Sequence, residues 1–204
     1  MKYQAVLLSA AILAGTAVQT RAQDALSWGG FYGGVSINAT NTDAKVGSNA
    51  IHKYRTKAAT LGLFAGYNFA RDSGFVWGPE LAIQTINASG SRTDAPLGTS
   101  NFRGSTLITP KLRAGFATDK FFVYGTAGIG MTNAVVRPAG VSGKDWTAGV
   151  AYGLGVEMAM NNGWSTRLEA MSYDIGGRDY SFNGSTQKID LKMQTLSLGL
   201  SKKF

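Results

Sequence analysis

From Thr147 to Met160 the chain alternates without a break: Ala148, Val150, Tyr152, Leu154, Val156, Met158 and Met160 occupy the even positions, and Thr147, Gly149, Ala151, Gly153, Gly155, Glu157 and Ala159 the odd ones. A period of two over fourteen residues belongs to an extended strand whose two faces meet different surroundings, and no helix reproduces it. The pattern recurs in Ala59, Leu61, Leu63, Ala65, Tyr67 and Phe69, in Val123, Gly125, Ala127, Ile129 and Met131, and at the end of the chain. There Leu196, Leu198, Leu200 and Phe204 oppose Thr195, Ser197, Gly199 and Ser201.

Eight strands are expected, near 28–39, 57–69, 75–88, 105–117, 121–132, 146–160, 164–174 and 190–204. Three of the connections are tight hairpin turns: Ala70-Arg71-Asp72-Ser73-Gly74, Thr118-Asp119-Lys120 and Asn161-Asn162-Gly163. The others, 40–56, 89–104, 133–145 and 175–189, are long, polar and rich in Gly, Ser, Thr and Asn. Short and long connections therefore alternate. Aromatic residues gather at the short-turn end: Trp28, Phe31, Tyr67, Phe69, Phe75, Trp77, Phe116, Phe121, Trp164 and Phe204. That is where an interfacial girdle would lie.

An even number of antiparallel strands, segregated loop lengths and a girdle describe an all-β, eight-stranded antiparallel transmembrane β-barrel, wound as an up-and-down meander. Hydrocarbon offers no partner to an edge strand, so the sheet has to close. A soluble β-sandwich could alternate too, but it has no reason to sort its loops by length. Twenty-seven glycines in 204 residues are nearly twice the usual share of about 7%, which favours β-structure with small side chains.

Residues 1–22 are set apart. Lys2, an apolar stretch from Ala5 to Val18 and the small residues of Thr20-Arg21-Ala22 read as a secretory signal peptide, leaving 23–204 as the barrel domain. The chain has no Cys, and so neither disulfides nor a lipidated N-terminal cysteine.

With the apolar face turned to lipid, Glu80, Lys111, Arg113, Glu157, Arg167 and Glu169 fall on the inner face. Three acids meet three bases. The interior of an eight-stranded barrel is just wide enough for side chains, so these six are expected to form an ion network that fills it; the alternative is that they stand separately in luminal water. Pro79 and Pro110 lie inside strands, where bulges are expected. The alternation slips between Met193 and Leu196, a stretch expected to stand above the membrane.

These residues resemble a family: small outer-membrane barrels of the OmpA-like and opacity-like kind, particularly the surface antigens or "porin family" proteins of alphaproteobacteria. The landmarks are Trp28-Gly29-Gly30-Phe31-Tyr32-Gly33-Gly34, Gly66-Tyr67-Asn68, Gly78-Pro79-Glu80, and Glu169 with Tyr173-Asp174. The resemblance implies a structural and surface-interaction role in the envelope, and contact with lipopolysaccharide or a host surface. It also implies a last-strand signal read by the barrel assembly machinery, matched by Ser197, Gly199 and Phe204, with Lys202 where an apolar residue is usual.

The competing functions are a small-solute porin, a lipid A-modifying enzyme and a haem-binding surface protein. A lipid A deacylase of this architecture carries a His-x-Ser motif; the single histidine here, His52, is followed by Lys53-Tyr54. His52 with Tyr54 is the candidate for haem or metal. Neither catalytic residues nor a cofactor are assigned, and Gly153-Leu154-Gly155 belongs to an alternating strand and not to a phosphate-binding turn. The formal charge of +8 is not taken as a nucleic-acid footprint in an exported chain. Lys53, Arg55, Lys57, Arg92 and Arg103 lie in or beside long loops, where they are candidates for pairing with lipopolysaccharide phosphates.

Overall fold

The computed structural model describes residues 26–46, 52–86, 90–94, 98–103, 105–132, 135–137, 146–175, 179–182 and 185–204. Eight strands form the wall: β1 (Gly30–Val46), β2 (His52–Ala70), β3 (Phe75–Ile86), β4 (Ser105–Ala117), β5 (Phe121–Thr132), β6 (Thr147–Ala159), β7 (Trp164–Ile175) and β8 (Ser185–Lys203). Each pairs antiparallel with the next in sequence, and β8 returns to β1 with Tyr32 opposite Lys203 and Val46 opposite Ile189. The sheet is thus a closed meander without an edge, as a strand wall in lipid requires.

Alternation becomes sidedness. Val35, Ile37, Leu61, Leu63, Leu112, Val123, Leu154, Leu168 and Leu198 project outward and are exposed, Leu61 at 68%. Such a greasy exterior is a liability in water and a requirement in a bilayer. At the short-turn end the girdle aromatics touch across strands: Phe31 on Tyr67 at 4.6 Å between ring centroids, Tyr67 on Phe69 at 4.8 Å, Phe69 on Trp77 at 4.7 Å and Phe75 on Phe116 at 5.6 Å. Trp28 departs from that expectation. It ends a short 3₁₀ turn, Leu26–Trp28, ahead of the first strand. Its ring lies inside on Phe122, and its indole N–H donates to the Thr118 carbonyl at 2.8 Å.

Neither proline makes a bulge. Gly66 pairs with Glu80 and Phe69 with Trp77, so the β2–β3 register is unshifted across Pro79. Pairing lapses only where Tyr67 and Asn68 face Gly78 and Pro79, while Pro79 keeps its place opposite Leu112 on β4. Pro110 behaves likewise, unpaired toward β5 and opposite Leu81 on the other side. In an antiparallel ladder one residue's N–H points to one neighbour only, so a proline interrupts one seam and spares the other. The interrupted β2–β3 seam is also tight. A Cβ at Gly78 would collide with the Tyr67 carbonyl.

The expected loops 40–56, 89–104 and 175–189 contain strand backbone. β1 and β2 run on to Val46 and back from His52, Gly90–Asp94 pairs with Gly98–Arg103, and Asp179–Phe182 pairs with the start of β8. Within 133–145, Val135–Arg137 pairs with Asn101–Arg103. β1, β2 and β8 are therefore 17, 19 and 19 residues long against 12 or 13 for the other five. A tilted spanning strand needs about 9–11 residues, so these three neighbours rise as a taller side of the wall at the long-loop end. The alternation of burial does not slip near Met193: Met193, Thr195 and Ser197 all face inward, and Gln194 and Leu196 outward. What changes there is the chemistry of the interior.

Candidate functional site: the filled lumen

Six inward-facing charged side chains from four strands converge in the barrel: Glu80 (β3), Lys111 and Arg113 (β4), Glu157 (β6), and Arg167 and Glu169 (β7). All are buried, none more than 5% exposed. Glu80 is the hub. Arg167 grips both its oxygens, Nη1 to Oε2 at 2.6 Å and Nη2 to Oε1 at 3.1 Å. Lys111 Nζ lies 3.1 Å from Oε1 and Arg113 Nη1 3.4 Å from Oε2, and the Tyr32 hydroxyl donates to Oε2 at 2.8 Å.

The other two acids take up the cations' remaining donors. Lys111 reaches Glu169 Oε1 at 2.5 Å, and the second oxygen of Glu169 accepts from the Tyr124 hydroxyl at 2.9 Å. Arg113 Nη1 donates to Glu157 Oε2 at 3.0 Å, while the Ser165 and Ser201 hydroxyls approach Oε1 at 2.5 and 3.1 Å. Asn68 links this cluster to the N-terminal turn: its side-chain oxygen accepts from Arg113 Nε and Nη2, and its amide donates to the Trp28 carbonyl at 3.0 Å. The carboxylates and cations balance, three against three.

Aromatic faces complete the solvation of the guanidinium groups. Arg113 sits 4.2 Å from the centroid of Tyr32 and 5.1 Å from that of Tyr124, and Arg167 lies 3.3 Å from that of Phe64. A cation over a ring face is attracted by its quadrupole, and more strongly once water is excluded. Glycines on adjacent strands make room for these groups. A Cβ at Gly155 would enter the Tyr124 ring, and one at Gly66 would strike the Tyr32 hydroxyl.

Apolar layers bracket the network, and the sequence pattern gave no sign of them. Toward the short turns Trp28, Val76, Ala117 and Phe122 pack with Tyr124. Toward the long loops Leu107, Ala151, Met171, Tyr173, Ile175 and Met193 form a second buried cluster. Between the network and this second layer a cavity of about 20 Å³ is lined by Asn38, Gln84, Thr109, Arg167 and Tyr173, among others. Two buried donors, Gln84 Nε2 and Arg167 Nε, have no protein partner. Both residues line it.

Ser197 and Gly199 face inward on β8; the Phe204 ring is 84% exposed at the short-turn rim, and its amide donates to the Phe31 carbonyl at 2.9 Å. Lys202 lies over the Trp164 ring and donates to the Asn162 carbonyl, while Lys203 donates to that of Ser27. Lys53, Arg55 and Lys57 stand on the upper part of β2, Arg92 on Gly90–Asp94 and Arg103 on Gly98–Arg103. Their side chains, with those of His52 and Tyr54, lie outside the described ones, as do residues 1–22. Among the described residues no group of three His, Asp or Glu side chains could hold a metal.

A closed antiparallel wall, greasy outside and polar within, defines a transmembrane β-barrel of the outer-membrane class. The chain belongs to the family of outer membrane protein beta-barrel domains, whose model matches residues 9–204. It is 31% identical over 159 residues to a 31 kDa outer-membrane immunogenic protein of Brucella melitensis, a match covering 70% of this chain and 65% of that relative's length. A 22 kDa outer membrane protein of Rhizobium leguminosarum is 27% identical over 87% of this chain and 79% of its own. Among solved structures, the outer membrane protein OprG of Pseudomonas aeruginosa shares the fold with a TM-score of 0.58 at 20% identity, covering 86% of this chain and 96% of that one. The protein resides in the bacterial outer membrane.

Proposed function

We propose that this barrel is a closed structural and surface-interaction protein of the outer membrane that conducts no more than slowly and catalyses no reaction. The supporting observation is the filled lumen: a charge-balanced network with Glu80 at its centre, sealed by apolar clusters on both sides. A hydrated ion would have to break pairs that hold one another and then cross two greasy layers, and both steps are unfavourable in a low-dielectric interior. The short turns face the periplasm and the long-loop end faces outward, the arrangement usual for bacterial barrels. Residues 1–22 are removed on export, and Ser197, Gly199 and Phe204 are read by the assembly machinery.

The outward end is where the protein acts. The Brucella relative is named for its immunogenicity, which supports a surface-antigen role here. The cations Lys53, Arg55, Lys57, Arg92 and Arg103 pair with lipopolysaccharide phosphates and hold the barrel among the sugars of the outer leaflet. Single-channel recording on the refolded protein tests the closed lumen, and stable large openings would make it a small-solute porin instead. Incubation with lipid A, analysed for lost acyl chains, tests the non-catalytic reading: deacylation by the pure protein would refute it.

A further inference from the structure

On the outside of the wall an open, mostly apolar depression ends at an exposed arginine. At the short-turn end of β3 and β4 an open depression of about 600 Å³ is lined by Arg71, Ser73, Phe75, Trp77, Ala114 and Phe116. Its floor follows from side-chain size. The outward residues of β4 are Pro110, Leu112, Ala114 and Phe116, and Ala114 stands opposite Trp77 on β3 and opposite Gly125 on β5. A small residue beside a small residue, between a Trp and a Phe, leaves a trough in an otherwise bulky surface. Its walls are braced: Trp77 stacks on Phe69, and Phe75 meets Phe116 edge to face.

One end of this trough is apolar and faces the hydrocarbon. The other end carries Arg71 and the Ser73 hydroxyl, in the turn held by the Arg71 amide on the Phe75 carbonyl and the Gly74 amide on the Arg71 carbonyl. Arg71 is exposed, and none of the ion pairs among the described residues includes it or its neighbour Asp72. A free guanidinium at the mouth of an acyl-sized trough is matched by one molecule that is anionic at one end and greasy at the other. A guanidinium binds phosphate oxygens by paired charge-assisted hydrogen bonds.

We propose that this groove binds one anionic diacyl phospholipid, its phosphate on Arg71 and Ser73 and an acyl chain over Ala114 between Trp77 and Phe116. Its assignment to the periplasmic leaflet rests on the orientation proposed above; occupancy of the groove itself does not. The test uses the full barrel in nanodiscs of equal phosphatidylglycerol and phosphatidylcholine, released into mild detergent and weighed by native mass spectrometry. Wild type is expected to retain one phosphatidylglycerol in preference to phosphatidylcholine by about tenfold, the equilibrium weight of a single charge-assisted contact. Arg71→Gln should erase the headgroup preference while leaving lipid bound. Ala114→Leu, an outward substitution into lipid that fills the trough, should lower retention of both lipids about tenfold with the barrel still folded by gel mobility. Equal retention in wild type and both variants, or loss of the bound lipid on adding inorganic phosphate alone, would overturn the proposal. Conductance plays no part in these readouts, so a failure here is separable from a failure of the closed-lumen reading.

Discussion

Replacing Glu80 by Gln is the sharpest perturbation of the lumen, because it keeps the volume and removes only the charge. Glu80 has a fully buried side chain and takes four charge-assisted approaches from three cations, plus the Tyr32 hydroxyl. With Gln in its place three cations face two acids, Glu157 and Glu169, in a buried lumen whose neighbouring cavity of about 20 Å³ leaves little room for water to screen the excess. Leaving one buried charge uncompensated costs about 3–5 kcal/mol, and the new amide group points a donor at donors. Adding Arg167→Met to Glu80→Gln restores the balance at two against two and removes the Arg167 Nε that has no partner. The double variant should therefore be more stable than the sum of the single losses by about 2 kcal/mol, within the range for residues in one network. Equilibrium urea unfolding in lipid vesicles, followed by Trp fluorescence and by heat-modifiable gel mobility, measures all three. A Glu80→Gln loss below about 1 kcal/mol, with additive single effects, would mean that the charges are solvated independently and would refute the reasoning.

Other perturbations separate the faces and the ends of the wall. Leu198→Arg puts a charge on the lipid-facing side of β8 and should cost about 2–4 kcal/mol near the midplane, measured by the same unfolding assay. Gly78→Ala forces a methyl into the Tyr67 carbonyl and should cost about 3 kcal/mol, the upper end for overpacking. Gly125→Ala is its control: that Cβ would meet only Leu154 Cδ2, at 3.9 Å, so equal losses in the two variants would discard the close-approach explanation. Deleting Phe204, whose ring is largely exposed, should lower insertion and yield in cells while leaving the unfolding free energy of the refolded barrel within about 0.5 kcal/mol of wild type.

Parity is what made the fold legible. Wherever one strand face meets lipid and the other the lumen, the two media impose opposite chemistry, and Leu154 against Gly155 or Leu198 against Ser197 announces both strand and side. Past Thr40 and before Lys57 that contrast weakens, since 41–46 and 52–56 carry few large apolar residues. The backbone ladder there continues from Asn41 opposite Lys57 to Val46 opposite His52 without the stripe of large apolar residues that marks the spanning part, so these stretches read as loops. Polar and charged positions on the inner face were legible for the same reason as the strands. Their pairing was not, because Glu80 and Arg167 lie 87 residues apart and meet only once the sheet has closed. Trp28 was misplaced because an aromatic residue beside a strand reads as girdle whether its ring points out to the interface or in to Phe122.

The apolar layers bear on how the lumen should respond to mutation. Inward Leu107, Ile175 and Met193, and inward Val76 and Phe122, break the rule that the inside of such a barrel is polar, and they do so above and below the charges. Electrostatics makes the weaker part of the seal, because breaking an ion pair costs free energy but a passing ion can regain some of it by exchanging partners. An apolar constriction has nothing to exchange and excludes ions by leaving them unsolvated. On the closed-lumen reading the two devices divide the labour: the network contributes to the stability of β3, β4, β6 and β7, while the greasy layers carry most of the barrier. On that division Glu80→Gln should weaken the fold without opening it. Conductance should rise only when an apolar layer is thinned, as in Leu107→Ser combined with Met193→Ser, and the ion network left whole by that change should fail to hold the current back.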